Sequence, residues 1–107
     1  MVFRVLEMSL AVAGRVAPAL EGLRRVDSGL ADQVERALCS IALNIAEGNG
    51  LAGRARRNSF RIARGSAEEV RAGLRLAVVL RRLESESVAE PLEELDGIVA
   101  MLHGLIR

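Results

Sequence analysis

The sequence predicts an all-α fold, an antiparallel up-down-up-down four-helix bundle, with helices at about 2–24, 30–47, 54–84 and 88–106 in a single domain spanning 1–107. Three observations carry that reading. Apolar residues recur at intervals of three and four in four successive segments, the periodicity of a helix with one buried face. Leu, Ala, Arg and Glu dominate, and Phe3 and Phe60 are the only aromatic residues; a sheet protein would draw on β-branched and aromatic side chains instead. The breaks between segments are short, so consecutive helices have to double back on one another. A chain of 107 residues removes roughly two thirds of its extended surface from water on folding, enough for one core.

The first segment places Phe3, Leu6, Leu10, Ala13, Ala17 and Leu20 in one apolar row. The Pro18 ring crowds the carbonyl of residue 14 and removes a hydrogen bond, so a kinked helix is expected, eased by Gly14. Asp27-Ser28-Gly29 forms the first break, with Asp27 or Ser28 as the cap of the next helix. The second segment has Leu30, Val34, Leu38, Ile41 and Ile45 on its core face, and Gly48 is expected just past its end. Gln33, Arg36, Ser40, Asn44 and Glu47 form a narrow polar line, within an arc of about 80°, while Cys39, Ala42, Leu43 and Ala46 cover the opposite flank. A helix this apolar is expected to be buried on more than one side, with Cys39 a small core residue.

Asn49-Gly50-Leu51-Ala52-Gly53 is a turn-rich linker. In the third segment Phe60, Ala63, Ala67, Val70, Leu74 and Ala77 make the apolar stripe, and Gly65, Ser66, Ala72 and Gly73 are small enough to admit a neighbouring helix closely. Ser87 and Glu90 are spaced as a capping box, with Pro91 at the start of the fourth helix. That helix carries Leu92, Leu95, Val99, Leu102 and Ile106, with Ile98, Met101 and Leu105 beside them. The apolar surface of the second and fourth helices exceeds what one core requires, which predicts a homo-oligomer with Leu43, Ala46, Ile98, Met101 and Leu105 in its interface.

Charge is distributed unevenly. All 15 basic residues are arginine; residues 54–82 hold nine of them against two acids, and residues 83–107 hold one against six. A basic block followed by an acidic one reads either as neighbouring elements that neutralise each other or as a surface for a polyanion. There is no run of 18 apolar residues, which argues against a membrane-spanning helix, and Glu7 interrupts what resembles a signal peptide. A cytoplasmic location is therefore expected, and one cysteine makes no disulfide framework.

The residue types of an enzyme are missing. The single His103 has Ala100 three residues earlier, unlike the Glu-x-x-His pairs of di-iron bundles, and it reads as a solvated side chain near a helix C-terminus. The glycines at 48, 50 and 53 lack the Lys-Ser/Thr of a phosphate-binding P-loop, and Ser40 and Ser66 have no base beside them in sequence. We expect no enzymatic activity, no cofactor and no metal. The most informative feature is the arginine set Arg54, Arg56, Arg57, Arg61, Arg64, Arg71 and Arg75, most of which shares one helical face with Glu68. Guanidinium groups in such a row engage phosphates and displace counterions, and without aromatic residues to stack on bases any binding of RNA or DNA is expected to be directed at the backbone. The competing reading is a solvated face, or one neutralised by Glu84, Glu86, Glu90, Glu93 and Glu94. The Gln33-Arg36-Ser40-Asn44-Glu47 line is likewise either a polar groove or, as we favour, a hydrogen-bonded seam.

Gln33-Val-Glu-Arg36-Ala37, Ser40-Ile41, Asn44-Ile45-Ala46-Glu47-Gly48 and Ile62-Ala63-Arg64-Gly65-Ser66 with Glu68 and Glu69 resemble the 23S rRNA-intervening-sequence protein family, also called the four-helix-bundle protein family. The resemblance implies a small antiparallel helical bundle that assembles into a ring, a pentamer. The family is similar in fold to the accessory variability determinant of diversity-generating retroelements, a basic pentamer that binds a reverse transcriptase and nucleic acid. By that likeness the partners to expect are RNA or DNA, approached through Arg54, Arg56, Arg57, Arg61 and Arg64, or a reverse transcriptase or other protein held by a scaffold.

Overall fold

A computed structural model describes residues 2–107. Four helices fill it: α1 (Val2–Val26), α2 (Ser28–Asn49), α3 (Gly53–Val79) and α4 (Ser85–Ile106). α1 packs on α2 and α4, and α3 packs on the same two, so the helices stand at the corners of a square with α1 and α3 diagonal. The connections are too short to cross the bundle, which makes the arrangement antiparallel and measures 42 × 22 × 19 Å. Among the described residues there is no strand, and no helix is long and apolar enough to cross a membrane.

One residue, Asp27, joins α1 to α2. Its Oδ1 accepts from the Leu30 N–H at 3.1 Å and caps α2, and its Oδ2 accepts from Arg82 Nε at 2.9 Å, tying the α3–α4 turn to the same point. At the opposite end Gly53 enters α3 with φ +59°, a left-handed conformation that its missing Cβ makes inexpensive.

The core is a single cluster. Phe60, Ala63, Ala67, Val70, Leu74 and Ala77 are all fully buried, as the stripe on α3 predicts, and Val34, Leu38, Ile41 and Ile45 of α2 meet them. Two glycines permit the α2–α3 approach: a Cβ on Gly48 would stand 2.7 Å from the Phe60 ring, and one on Gly73 would stand 2.6 Å from Val34 Cγ2. Gly65 and Ala72 face no such neighbour, so the close contact is made at Gly73.

Several boundaries and faces differ from expectation. α1 is one helix through Pro18, as expected, but its core face is Val5, Val12, Val16, Ala19, Leu20 and Leu23. Of the expected row, Leu20 is buried in the core and Leu6 and Ala13 are half-buried against it, while Phe3, Leu10 and Ala17 are exposed, because α1 carries two apolar rows and periodicity does not say which one is covered. Gly48 is inside α2, which ends at Asn49 with Gly50 as its cap. α3 stops at Val79 and not at residue 84, since Arg81 adopts φ 61° and turns the chain. α4 starts at Ser85, so Pro91 is a buried residue inside the helix and Ser87 donates to the Glu84 carbonyl in place of a capping box. Cys39 and Leu43 are exposed, so α2 is covered on one side only.

Candidate nucleic-acid interface

The antiparallel pairing of α3 with α4 decides what faces each arginine. Arg64 lies level with His103, and Arg71 lies level with Asp96. Arg71 is accordingly neutralised: its guanidinium pairs with Glu68 one turn earlier and with Asp96 at 3.0 Å across the cleft. Further along, Arg75 borders an apolar hollow made by Val78, Val79, Val88 and Leu92. Towards the start of α3 the facing residue is an imidazole, and Arg64 Nη1 stands 3.1 Å from His103 Nδ1.

Arg56 is held by its own turn. It donates to the Gly48 carbonyl at 3.0 Å, and its guanidinium sits 4.9 Å from the centre of the Phe60 ring. It therefore closes the α2–α3 corner, with its charge still at the surface. Arg54, Arg57 and Arg61 have no carboxylate within ion-pairing distance among the described residues. The acids of the C-terminal segment are engaged elsewhere or solvated: Glu90 and Glu94 both pair with Arg15 of α1, at 3.0 and 3.2 Å.

This asymmetry extends to the whole molecule. Divided at the helix midpoints, the half that carries the α2–α3 turn holds seven arginines and His103 against Glu7, Glu47 and Asp96. The other half holds eight arginines against eleven carboxylates. Arg4, His103 and Arg107 join the cationic half only because antiparallel packing brings the start of α1 and the end of α4 beside the start of α3. Sequence reasoning passed over these three, although the order of the helices and their short connections would have located them.

The start of α3 adds to the effect. Its first turn contains arginine and no acid, and Ala52 supplies no side-chain cap. A helix N-terminus presents unpaired N–H groups and a partial positive charge, so Arg54, Arg56 and Arg57 reinforce that charge where a stabilising sequence would oppose it.

The polar line of α2 divides. Asn44 Nδ2 donates to the Ser40 carbonyl at 2.9 Å and to Ser40 Oγ at 3.1 Å, and Ser66 Oγ of α3 donates to Ser40 Oγ at 2.7 Å. Ser40 and Asn44 thus belong to an interhelical seam, whereas Gln33, Arg36 and Glu47 are exposed. Of the residues expected at an intersubunit contact, Leu43 and Ala46 are exposed and Met101 and Leu105 are half-buried. Ile98 is fully buried within the chain's own core and leaves no surface for a neighbour. Leu10 and Ala17, exposed, and the half-buried Ala13 of α1 face Cys39, Ala42 and Leu43 of α2 across an open apolar groove.

The fold has a close counterpart among solved structures. A crystal structure at 1.70 Å of a protein of unknown function from the S23 ribosomal protein family of Bacteroides thetaiotaomicron superposes with a TM-score of 0.87. The two are 24% identical, and the match covers 96% of this chain and 98% of that one. No curated protein matches the chain. The sequence model of the 23S rRNA-intervening sequence protein family matches residues 3–104. With a four-helix bundle and a family match over nearly its full length, the chain belongs to the 23S rRNA-intervening sequence protein family.

Proposed function

We propose that the protein is a non-enzymatic interaction module that binds the phosphate backbone of RNA or DNA through the cationic half of its bundle. One observation carries this reading: among the described residues Arg54, Arg57 and Arg61 form no ion pair, while Arg71 on the same helix does. Guanidinium groups left without carboxylates are available for bidentate contact with phosphate oxygens. The one aromatic side chain on α3, Phe60, is fully buried, so recognition by the arginine row rests on charge and spacing and not on stacking with bases. The name of the family, which refers to segments within 23S rRNA, fits a nucleic-acid setting.

Salt dependence tests it. If about five phosphates are engaged, affinity for a 20-nucleotide strand falls by roughly two to three decades between 50 and 200 mM salt. A flat response, or no binding at low salt, overturns the reading.

The groove between α1 and α2 supports a second reading, a protein-binding scaffold that associates with copies of itself or with an enzyme such as a reverse transcriptase. Leu43 is 68% exposed and Leu10 52% exposed on its walls, an arrangement favourable to a protein contact. Leu43→Glu is then expected to yield folded monomers in sedimentation, since the side chain takes no part in the chain's core. A wild type that sediments as a monomer overturns self-association.

A further inference from the structure

The Arg64–His103 contact has a consequence for the cationic half, and it rests on the reading that this half binds phosphate. Arg64 can only donate, so the contact of His103 Nδ1 with Arg64 Nη1 at 3.1 Å is a hydrogen bond when the imidazole is neutral with its proton on Nε2. In that state the two side chains satisfy each other, and Arg64 is partly withdrawn from any ligand. A protonated imidazole has no lone pair to offer. The contact then becomes one of two cations at hydrogen-bond distance, which persists only if an anion lies between them.

We propose that His103 makes nucleic-acid binding proton-dependent: protonation releases Arg64 from the imidazole and adds a second donor, and both groups then close on one backbone phosphate. The groups around His103 favour this outcome. On α3, Arg61 and Glu68 flank Arg64, and Glu68 is taken by Arg71. On α4, Arg107 lies one turn beyond His103, and Asp96, two turns before it, is also taken by Arg71. On α1, Met8 lies against Gly97, so in the antiparallel register Arg4 stands nearer the level of His103 and Glu7 lies about a turn below it. Among the side chains just named, Glu7 is the one carboxylate without an arginine partner, and the backbone carboxylate of Arg107 is the other anion near the ring. The end of α4 also favours a cation there, because its last carbonyls carry partial negative charge.

The test uses a fluorescent 20-nucleotide thymidine tract, whose bases do not titrate in the range used, at constant ionic strength. Wild-type affinity is expected to be about three- to tenfold higher at pH 5.5 than at pH 8.0, and the slope of affinity against salt to steepen by about one contact. His103→Gln, which stays uncharged, is expected to lose that pH response. His103 is the only histidine, so imidazole NMR reports on it without assignment; adding the tract is expected to move its titration to higher pH. Equal tightening of wild type and His103→Gln, a pH-independent wild type, or an imidazole titration unmoved by the tract overturns the inference while leaving backbone binding intact. No binding at either pH overturns both.

Discussion

Arginines on one line of α3 meet different outcomes: Arg71 is paired, whereas Arg75, one turn further on, stands beside an apolar hollow without a carboxylate. Arg71 is neutralised by Glu68 and Asp96, whereas Arg57 and Arg61, two to four turns earlier, meet no carboxylate. Local sequence separates them in part, through Glu68 one turn before Arg71, and the register of the facing helix adds Asp96. The same division holds for the molecule, because every ion pair among the described residues uses Arg15, Arg24, Arg71 or Arg82. Arg24, for example, bridges to Asp32 and to Glu35 at 2.8 Å, binding α1 to α2. The four arginines that form ion pairs all belong to the end that carries Asp27, where Arg25, Arg36, Arg75 and Arg81 stand without a carboxylate partner among the described residues. The other end holds its arginines outward, with helix-dipole repulsion uncorrected at the start of α3.

Reversing charge in the outward set gives the largest expected effect. Arg57→Glu, Arg61→Glu and Arg64→Glu together are expected to lower affinity for a single-stranded 20-mer by on the order of a hundredfold or more at low salt, with helicity by circular dichroism retained. Arg71→Gln is the contrast, with a change below about threefold, since that guanidinium already has two partners. An equal loss from both variants would erase the distinction between the two halves.

Asp96→Asn sharpens it in the other direction. Removing one carboxylate from Arg71 is expected to tighten binding about twofold to fivefold and steepen the salt slope by up to about one contact. Its cost in urea unfolding is expected to stay below about 1 kcal/mol, because the pair is partly exposed. Conversely, Arg57→Gln, Arg61→Gln and Arg64→Gln together are expected to leave the thermal midpoint unchanged or slightly raised, as like charges are relieved and no ion pair is broken. A marked fall would mean that this row supports the fold.

The smallest effect concerns pH at the end that carries the ion pairs. The Leu30 N–H, and then Arg82, hold the Asp27 carboxyl below the usual carboxylate range. Its contribution to stability is therefore present above the unfolded-state value of about 4 and is lost as pH falls through the lower folded-state value. Asp27→Asn is expected to flatten the acid limb of the stability profile measured by urea unfolding at a series of pH values. An acid limb identical to that of the wild type would remove Asp27 from the account.

The fold was largely legible because α3 shows a single clean stripe from Phe60 to Ala77, all of it buried. α1 was harder to read. It has apolar residues on two rows, and only the position of α4 and α2 decides that Val5, Val12 and Val16 go inside while Leu10 and Ala17 line a groove. The end of α3 was hidden for a related reason: Val78-Val79-Leu80 continues the apolar pattern up to Arg81, whose left-handed backbone no residue type announces. At the candidate site the arginines were visible as a row, but their division into paired and unpaired was visible only in part, through Glu68 one turn before Arg71. The rest depends on Asp96 and His103, which lie 25 and 39 residues away from the arginines they face.

The joint at Asp27 governs how the bundle can move. Two of its three connections meet there, and the Arg82–Asp27 bond clasps them together. At the far end one turn links α2 to α3, and no connection spans α1 and α4. Breathing of the structure is consequently lopsided, in the manner of a clothes-peg whose spring lies at Asp27 and whose jaws carry the arginines. Amide exchange is expected to be slowest near Asp27 and faster towards the α2–α3 turn.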